Sequence, residues 1–390
     1  MPIPAQKTGA IAELLDDIRQ GAADRDREHR LPVDEIHALR DLGVTAARVP
    51  EELGGWGLTL PELFDLALDI GAADSNVLQA LRGHFGYVER LLVIGDERSW
   101  AGLREVAGGL LVGNSQAEKR DSSNIGTELT RDEQGWVLDG RKFYSTGTLF
   151  SDATWGNAIH DGHRYGVLVP TDAPGVSVID DWDGFGQRLT GSGTTVFDHV
   201  RLTDDQVFDQ TEEPDFYLID NRVFLHLIQL AALAGVGRAA VTDITEYVRG
   251  RTRSFGVAGR SEPARDDRVQ IVLGGVASRV YGAEALVRDV ARVFQRLRET
   301  DFADEQQRLD AYVRLQIHQF EAQQVIVDDI VHVTSDVFEV GGASAVSTKR
   351  GLDRHWRNAR TLGSHNPAIF RRAYIGDWLL NGTQPETFFL

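Results

Sequence analysis

The chain of 390 residues contains no cysteine. That alone excludes disulfides, thiolate nucleophiles, zinc–thiolate sites and iron–sulfur clusters. Positive charge is scarce as well: 59 acidic residues face 41 basic ones, for a formal net charge of -18. Such a field repels a polyanion, so nucleic acid is not an expected partner. Lysine is represented only by Lys7, Lys119, Lys142 and Lys349, so nearly all cations are arginines. No apolar run reaches the length of a membrane span; the best, residues 225–236, is interrupted by His226 and Gln229. The opening MPIPAQKTGAIAELLDD has neither a basic n-region nor an apolar h-region, so no secretory signal is expected. The expectation is a soluble, cytoplasmic protein with no membrane partner.

What is present is enough to bury a sizeable core: 42% of residues are hydrophobic and 26% charged. The length points to two or three domains. Residues 12–18 and 33–42 carry apolar residues at helical spacing. Gly54, Gly55 and Gly57 mark a loop, and Thr59 before Pro61 reads as a helix cap. Near residue 110 the texture changes to short β-type runs (GWVLDG, YGVLVP, TTVFDHVRL) broken by Gly and Asp, with Asp139-Gly140 as a hairpin signal. After Pro214 the helical period returns in longer stretches, 216–249, 269–298 and 306–340, as in a helix bundle. The expected boundaries are 1–109 helical, 110–212 β, and 213–390 helical.

Several motifs look chemical but lack the right context. Residues 235–240, GVGRAA, match a loose dinucleotide fingerprint, yet no strand precedes them; they read as a small-residue face where helices approach closely. His160 and His163 lie in a turn without the further ligands a metal needs, and no metal site is expected. Gly191-Ser192-Gly193 is a strand-linking turn rather than a nucleophile elbow.

Four separated segments fit one site: GNSQAE (113–118) with the polar loop after it, DGRKFYSTG (139–147), WDGFGQRLT (182–190), and FEVGG (338–342) with DRHWRNARTLGSHN (353–366). In this order and at these separations they resemble the acyl-CoA dehydrogenase superfamily over nearly the whole chain. The resemblance implies an α+β multidomain fold: an N-terminal helical domain, a central β-barrel-like domain and a C-terminal four-helix bundle. It also implies a homotetramer with flavin between domains. Two departures locate the branch. The T-E-P-x-A-G-S-D run of true dehydrogenases is AEKRDSSN here (117–124), with Ala117 in place of a flavin-contacting Thr. The dehydrogenase base, a Glu, falls on Asn366, and an amide cannot take a proton from carbon. The later segments are similar instead to reduced-flavin-dependent monooxygenases of this fold, the dibenzothiophene and sulfur-acquisition enzymes among them.

That resemblance assigns roles residue by residue. Thr146 matches the hydroxyl facing flavin N5, and Asn114 an amide near flavin and substrate. His365 matches an imidazole on the C4a side, which at an ordinary pKa of about 6.5 exchanges protons near neutrality. Arg253 falls in the flavin-phosphate segment that serves a neighbouring subunit, with Lys349 and Arg350 as further phosphate contacts and Gly341 and Gly342 beside them. His84 and Tyr87 fall where the N-terminal domain meets the substrate pocket. Trp182 and Phe185 wall either the flavin edge or the barrel core. The implied activity is a two-component monooxygenase that uses reduced FMN (FAD being the alternative) from a separate NAD(P)H:flavin reductase. With O2 it would form a C4a-hydroperoxyflavin and oxygenate a small apolar or heteroaromatic substrate, organosulfur compounds among the candidates. The alternatives are an acyl-CoA dehydrogenase with a relocated base and a non-catalytic flavin-binding protein.

Overall fold

The computed structural model describes residues 3–118, 126–211, 213–251 and 262–385. Five helices come first: α1 (Ala5–Glu28), α2 (Val33–Asp41), α3 (Leu60–Ala73), α4 (Ser75–Ile94) and α5 (Glu97–Ala107). α1 extends well beyond the apolar spacing at 12–18, because its charged ends are solvated and only a narrow stripe around Ile11, Ile18 and Ala22 is buried. α3 begins at the expected cap. The Thr59 hydroxyl accepts from Glu62 N–H, and the Glu62 carboxylate accepts from Thr59 N–H, a reciprocal box that satisfies two otherwise orphaned donors.

The β region comprises β1 (Val112–Ser115), β2 (Glu128–Asp132), β3 (Gly135–Lys142), β4 (Ala153–His160), β5 (His163–Pro170), β6 (Val176–Ile179), β7 (Thr194–Leu202) and β8 (Val207–Asp209). They form one mixed sheet in the order β6-β7-β3-β2-β4-β5-β8, with β1 lying parallel on β4. Leu138, Val167, Val169 and Val200 fill its inner face. Asp139-Gly140 is not a hairpin turn: both residues lie inside β3, where the register against β7 slips between Leu138 and Gly140. Gly140 has φ 156° there, and a Cβ would sit 2.7 Å from Thr127 Cα, so the dipeptide makes a bulge that bends the strand. The Asp-Gly pair that does reverse the chain is Asp161-Gly162, with φ of 48° and 81°, joining β4 to β5. It sets His160 directly opposite His163, and His160 Nδ1 is bonded to Leu129 O at 2.8 Å.

The bundle is built from α6 (Asp215–Arg249), α7 (Asp267–Arg298) and α8 (Glu305–Asp336), followed by α9 (Phe338–Gly341), α10 (Asp353–His365) and α11 (Ala368–Asn381). α8 stops four residues short of the periodic stretch, which breaks into the turn that α9 occupies. α6 is the central element, packed by α3 and α4 on one side and by α7, α8 and α10 on the other. It is long and apolar enough to cross a bilayer, but most of its apolar window is buried within the protein, as in a core helix. Its polar groups are matched across helices. Asp220 accepts from Arg298 Nη2 at 2.6 Å and from Tyr312 Oη at 3.0 Å; Arg298 also pairs with Glu89, which Arg48 Nε reaches at 2.6 Å. Near the other end Asp243 accepts from Arg354 at 2.6 Å and meets His355 Nε2 at 2.9 Å.

The GVGRAA stretch lies inside α6, and its first glycine is a contact point between helices. A Cβ on Gly235 would stand 2.4 Å from the carbonyl carbon of Gly71 and 2.6 Å from Ala72 N, both backbone atoms of α3 that cannot yield. Gly235→Val should therefore destabilise the protein by about 3 kcal/mol through overpacking. A urea midpoint unchanged from the parent would contradict this view of the α3–α6 contact.

Candidate active site

The first part of the site is a corner of hydroxyls beyond the end of β3. The loop 143–147 is stitched down on both flanks: Phe143 N donates to Ala117 O (2.9 Å), Ser145 N to Gly193 O (2.9 Å), and Gly147 N to Thr190 O (3.0 Å). Asn114 N, at the end of β1, donates to Thr146 O at 3.2 Å. This places Thr146 Oγ1 at 2.8 Å from Ser192 Oγ, which is 2.7 Å from Thr190 Oγ1, which in turn donates to Gln187 O. Two non-glycine residues in the left-handed region flank the corner, Tyr144 (φ 55°) and Gln187 (φ 52°). Such strain persists only where neighbours over-determine the backbone. For Gln187 they do: its N–H donates to Asn358 Oδ1 (2.7 Å) and its side chain to Ser75 Oγ (2.8 Å). Asn114 presents a half-buried amide that makes no side-chain hydrogen bond among the described residues. Below it the buried Lys142 bonds Glu118 (2.5 Å) and Asn157 (2.8 Å). Burial works against the Glu118 charge, but Lys142 and the Gly126 and Thr127 donors hold it below the usual carboxylate range. Glu118 thereby fixes the strand geometry under the corner.

The second part lies two turns along α10 from Asn358, where the helix ends at His365 and Asn366. Asn366 Nδ2 donates to Gln229 Oε1 (3.1 Å) on α6, and Asn366 O accepts from Gln323 Nε2 (2.9 Å) on α8. Gln229 Oε1 also accepts from Arg82 Nη1 (3.2 Å) on α4, and Gln229 Nε2 donates to Leu362 O (2.6 Å). Arg371, on α11, donates to Gln323 Oε1 (2.7 Å) and to His226 Nε2 (3.0 Å). His365 is exposed to solvent in the single chain, although other side chains crowd its ring. Its pKa is lowered to about 3, first by loss of solvation and then by the Arg82 and Arg371 charges. The imidazole expected to exchange protons near neutrality is therefore held neutral, as a hydrogen-bonding group rather than a titrating one.

Other expected residues fall elsewhere. His84 does not face a pocket. It is buried, its Nδ1 accepts from Val112 N (3.2 Å), and its Nε2 therefore carries the proton and donates to Thr45 O (3.0 Å). It ties α4 to β1, two residues and about 200° of helix from Arg82. Tyr87 packs on the same side of α4, against Trp155 at 5.6 Å. Gly341, Gly342, Lys349 and Arg350 gather at the far end of α6. There Arg251 and Tyr247 donate to Gly341 O, the Arg350 guanidinium lies 4.2 Å from the Tyr247 ring, and Lys349 and Arg350 border a recess of about 670 Å³. Along α6 that is about 30 Å from His226, so the two groups do not meet within one chain. Arg253 lies outside the described residues. Trp182 and Phe185 are not barrel core: Phe185 is 54% exposed and stacks on Trp356, while Tyr144 meets Trp182 edge-on. Missed from sequence were Arg82, Arg222 and Arg371. The usable signal was Arg222, His226 and Gln229 at i, i+4 and i+7, a polar stripe on an otherwise apolar helix.

The residues present fit a flat flavin ring. Exposed Tyr144, Phe185 and Trp356, with half-buried Trp182, offer an apolar wall beside the hydroxyl corner, and buried Ser145 Oγ and Gln187 Oε1 have no partner. Residues 10–98 match the acyl-CoA dehydrogenase N-terminal domain, and residues 227–368 match the acyl-CoA dehydrogenase C-terminal domain. The chain belongs to the acyl-CoA dehydrogenase superfamily. Within it, the chain is 29% identical to a dibenzothiophene monooxygenase of Mycolicibacterium goodii, over 93% of this chain and 90% of that protein. It is 24% identical to a probable FMNH2-dependent monooxygenase, SfnC, of Pseudomonas putida, over 99% and 98%. The FMN-bound structure of TdsC from Paenibacillus sp. A11-2 superposes with a TM-score of 0.90 at 25% identity, covering 99% of this chain and 100% of that one.

Histidines held neutral by the fold make this superfamily member acid-sensitive. Burial holds His84 at a pKa of about 4, and loss of solvation followed by the Arg82 and Arg371 charges holds His365 at about 3. Below about pH 6.5 the unfolded chain takes up protons that the folded one refuses, so stability falls as pH drops from about 6.5 towards 4. The urea midpoint should fall over that window, and His365→Gln should flatten its slope. The ring of His365 should keep neutral-imidazole NMR shifts at pH 5; a midpoint near 6.5 would refute its desolvated setting.

Proposed function

We propose that this chain is the oxygenase component of a two-component, flavin-dependent monooxygenase using reduced FMN and O2 on a small organosulfur or heteroaromatic compound. The observation that carries this reading is the neutral His365 beside Asn366 and Gln229, with no carboxylate among the groups that influence it. Dehydrogenation needs a base strong enough to take a proton from carbon; an amide cannot, and an imidazole with a pKa of about 3 is too weak. The same neutral ring can hydrogen-bond to bound oxygen. Reduced FMN, when bound, would supply two electrons to O2, so that one oxygen atom enters the substrate and the other leaves as water.

In this reading Thr146, held by Ser192 and Tyr144 O, would hydrogen-bond to the flavin and hold its proton in place. Asn114 offers an uncommitted amide to substrate or oxygen. Trp182 and Phe185 shield the ring edge. The GVGRAA stretch is part of a helix, so the electrons are taken to arrive with the flavin from a separate NAD(P)H:flavin reductase. Lys349, Arg350, Gly341, Gly342 and Arg253 would serve the flavin phosphate of a neighbouring subunit in a homotetramer. Exposed Ile369, Phe370, Leu379 and Leu380 on α11 give that assembly an apolar face to cover.

Mixing the protein with reduced FMN and ¹⁸O2 in the presence of sulfides and heteroaromatics should place one labelled atom in the product. His365→Ala should lower that transfer about 100-fold or more, with FMN affinity changed by no more than about twofold. Anaerobic bleaching of bound oxidised flavin by acyl-CoA thioesters would instead make the protein a dehydrogenase.

A further inference from the structure

Among the described residues, half-buried Arg188 and Arg251 bond backbone carbonyls, and the arginines that tie the helices together across the core bond carboxylates. Arg25 has Glu35 and Asp74, Arg298 has Glu89 and Asp220, and Arg354 has Asp243. Three arginines near His365 and His226, the buried Arg371 and the half-buried Arg82 and Arg222, have none. Arg371 is 4% exposed and bonds only the neutral Gln323 and His226, its guanidinium resting against the Phe320 ring. Arg82 bonds only Gln229 Oε1. Arg222 forms no hydrogen bond or ion pair among the described residues, and its Nη1 is buried without a partner. Burial draws all three guanidiniums down to about 10; beyond burial, Tyr374 and then Arg222 act on Arg371, and Arg164 acts on Arg222, with no carboxylate among them. In a chain with 59 acidic side chains, this local lack of a counter-ion is not a matter of supply.

A buried cation without a partner destabilises a fold, and selection for stability alone would replace it or pair it. Guanidinium donors left open match the geometry of an oxyanion, which accepts paired N–H bonds. The three side chains converge from three helices. Arg222 lies one turn before His226 on α6, Arg371 reaches that histidine from α11, and Arg82 reaches Gln229 from α4. Arg82 and Arg371 are also the charges that act on His365, so an anion held between them lies beside the proposed reaction centre. The Lys349–Arg350 group is about 30 Å away along α6 and is a separate cation site.

We infer that Arg82, Arg222 and Arg371 form a receptor for a small organic oxyanion, a sulfinate, sulfonate or carboxylate, carried by the substrate itself. The inference rests on the oxygenase reading and changes it in one respect: the organosulfur or heteroaromatic body bears a negative group rather than being wholly apolar. Positive field inside a protein of net charge -18 also lets the site select monoanions that the outer surface would otherwise repel.

The test is calorimetric titration of the FMN-loaded protein, in its native assembly, with benzenesulfonate, benzoate and the neutral benzenesulfonamide. Benzenesulfonate should bind roughly tenfold or more tighter than the sulfonamide, and Arg222→Met should remove about tenfold of that preference. Benzoate reports whether the receptor prefers a trigonal carboxylate or a tetrahedral sulfonate. Because Arg222 holds nothing in the fold, Arg222→Met should raise the urea midpoint of the ligand-free protein, which a structural role would not do. Equal affinity for sulfonate and sulfonamide would overturn the receptor. So would an Arg222→Met variant that loses FMN affinity while keeping the sulfonate. Binding is read without turnover, so sulfonate binding with no labelled product from any substrate would overturn the oxygenase reading while leaving the anion site standing.

Discussion

The structure depends on burying α6. A helix of 35 residues that is apolar around most of its circumference cannot face water, so two layers close over it, α3 and α4 from one side and α7, α8 and α10 from the other. The closure is close enough at Gly235 and Gly71 that backbone meets backbone. Once α6 is enclosed, each polar side chain on it must find a partner or carry a cost. Asp220 and Asp243 find arginines, and Gln229 bridges Arg82, Leu362 and Asn366. Among the described residues of this helix, the buried side-chain atom left without a partner is Arg222 Nη1. A charge left open on a helix whose Asp220 and Asp243 are paired is where function is expected to have overruled stability.

The enclosure also sets the chemistry of His365. A histidine at a helix C-terminus would ordinarily gain from the helix dipole as a cation. Here desolvation and two guanidiniums outweigh that gain and hold the ring neutral. The Asn366 amide next to it is spent on Gln229, so the pair offers hydrogen bonds rather than proton abstraction. The contrast with a dehydrogenase is thus electrostatic as much as a difference of residue type: a carboxylate placed in this recess would be drawn into pairing with Arg82 and Arg371.

The sequence carried those features whose cause is local. The Thr59–Glu62 box is legible because its donors and acceptors lie three residues apart, and the long helices because their period repeats over many turns. GVGRAA was legible as a packing face because its context lacked a strand. Asp139-Gly140 misled, since the same dipeptide chemistry serves a turn and a bulge, and only the β7 register decides between them. His84 misled for a different reason. Its two partners, Thr45 O and Val112 N, come from distant segments, and a shift of two residues around α4 separates a structural tie from a pocket wall. The arginine group was invisible as a group because Arg82, Arg222 and Arg371 meet only after three helices dock.

The open guanidiniums and the neutral imidazole are two sides of one coupling. Arg82 and Arg371 suppress protonation of His365, so whatever cancels their charge relieves that suppression by the same free energy. An oxyanion held between them would therefore make His365 a better proton acceptor only while substrate is present. Without it the ring stays neutral and would have no proton to give to oxygen held at this site. Substrate charge, rather than substrate shape alone, would then decide when the site is competent. That arrangement explains why a protein would retain three uncompensated cations in its interior: their cost in the empty state is what the anion removes on binding.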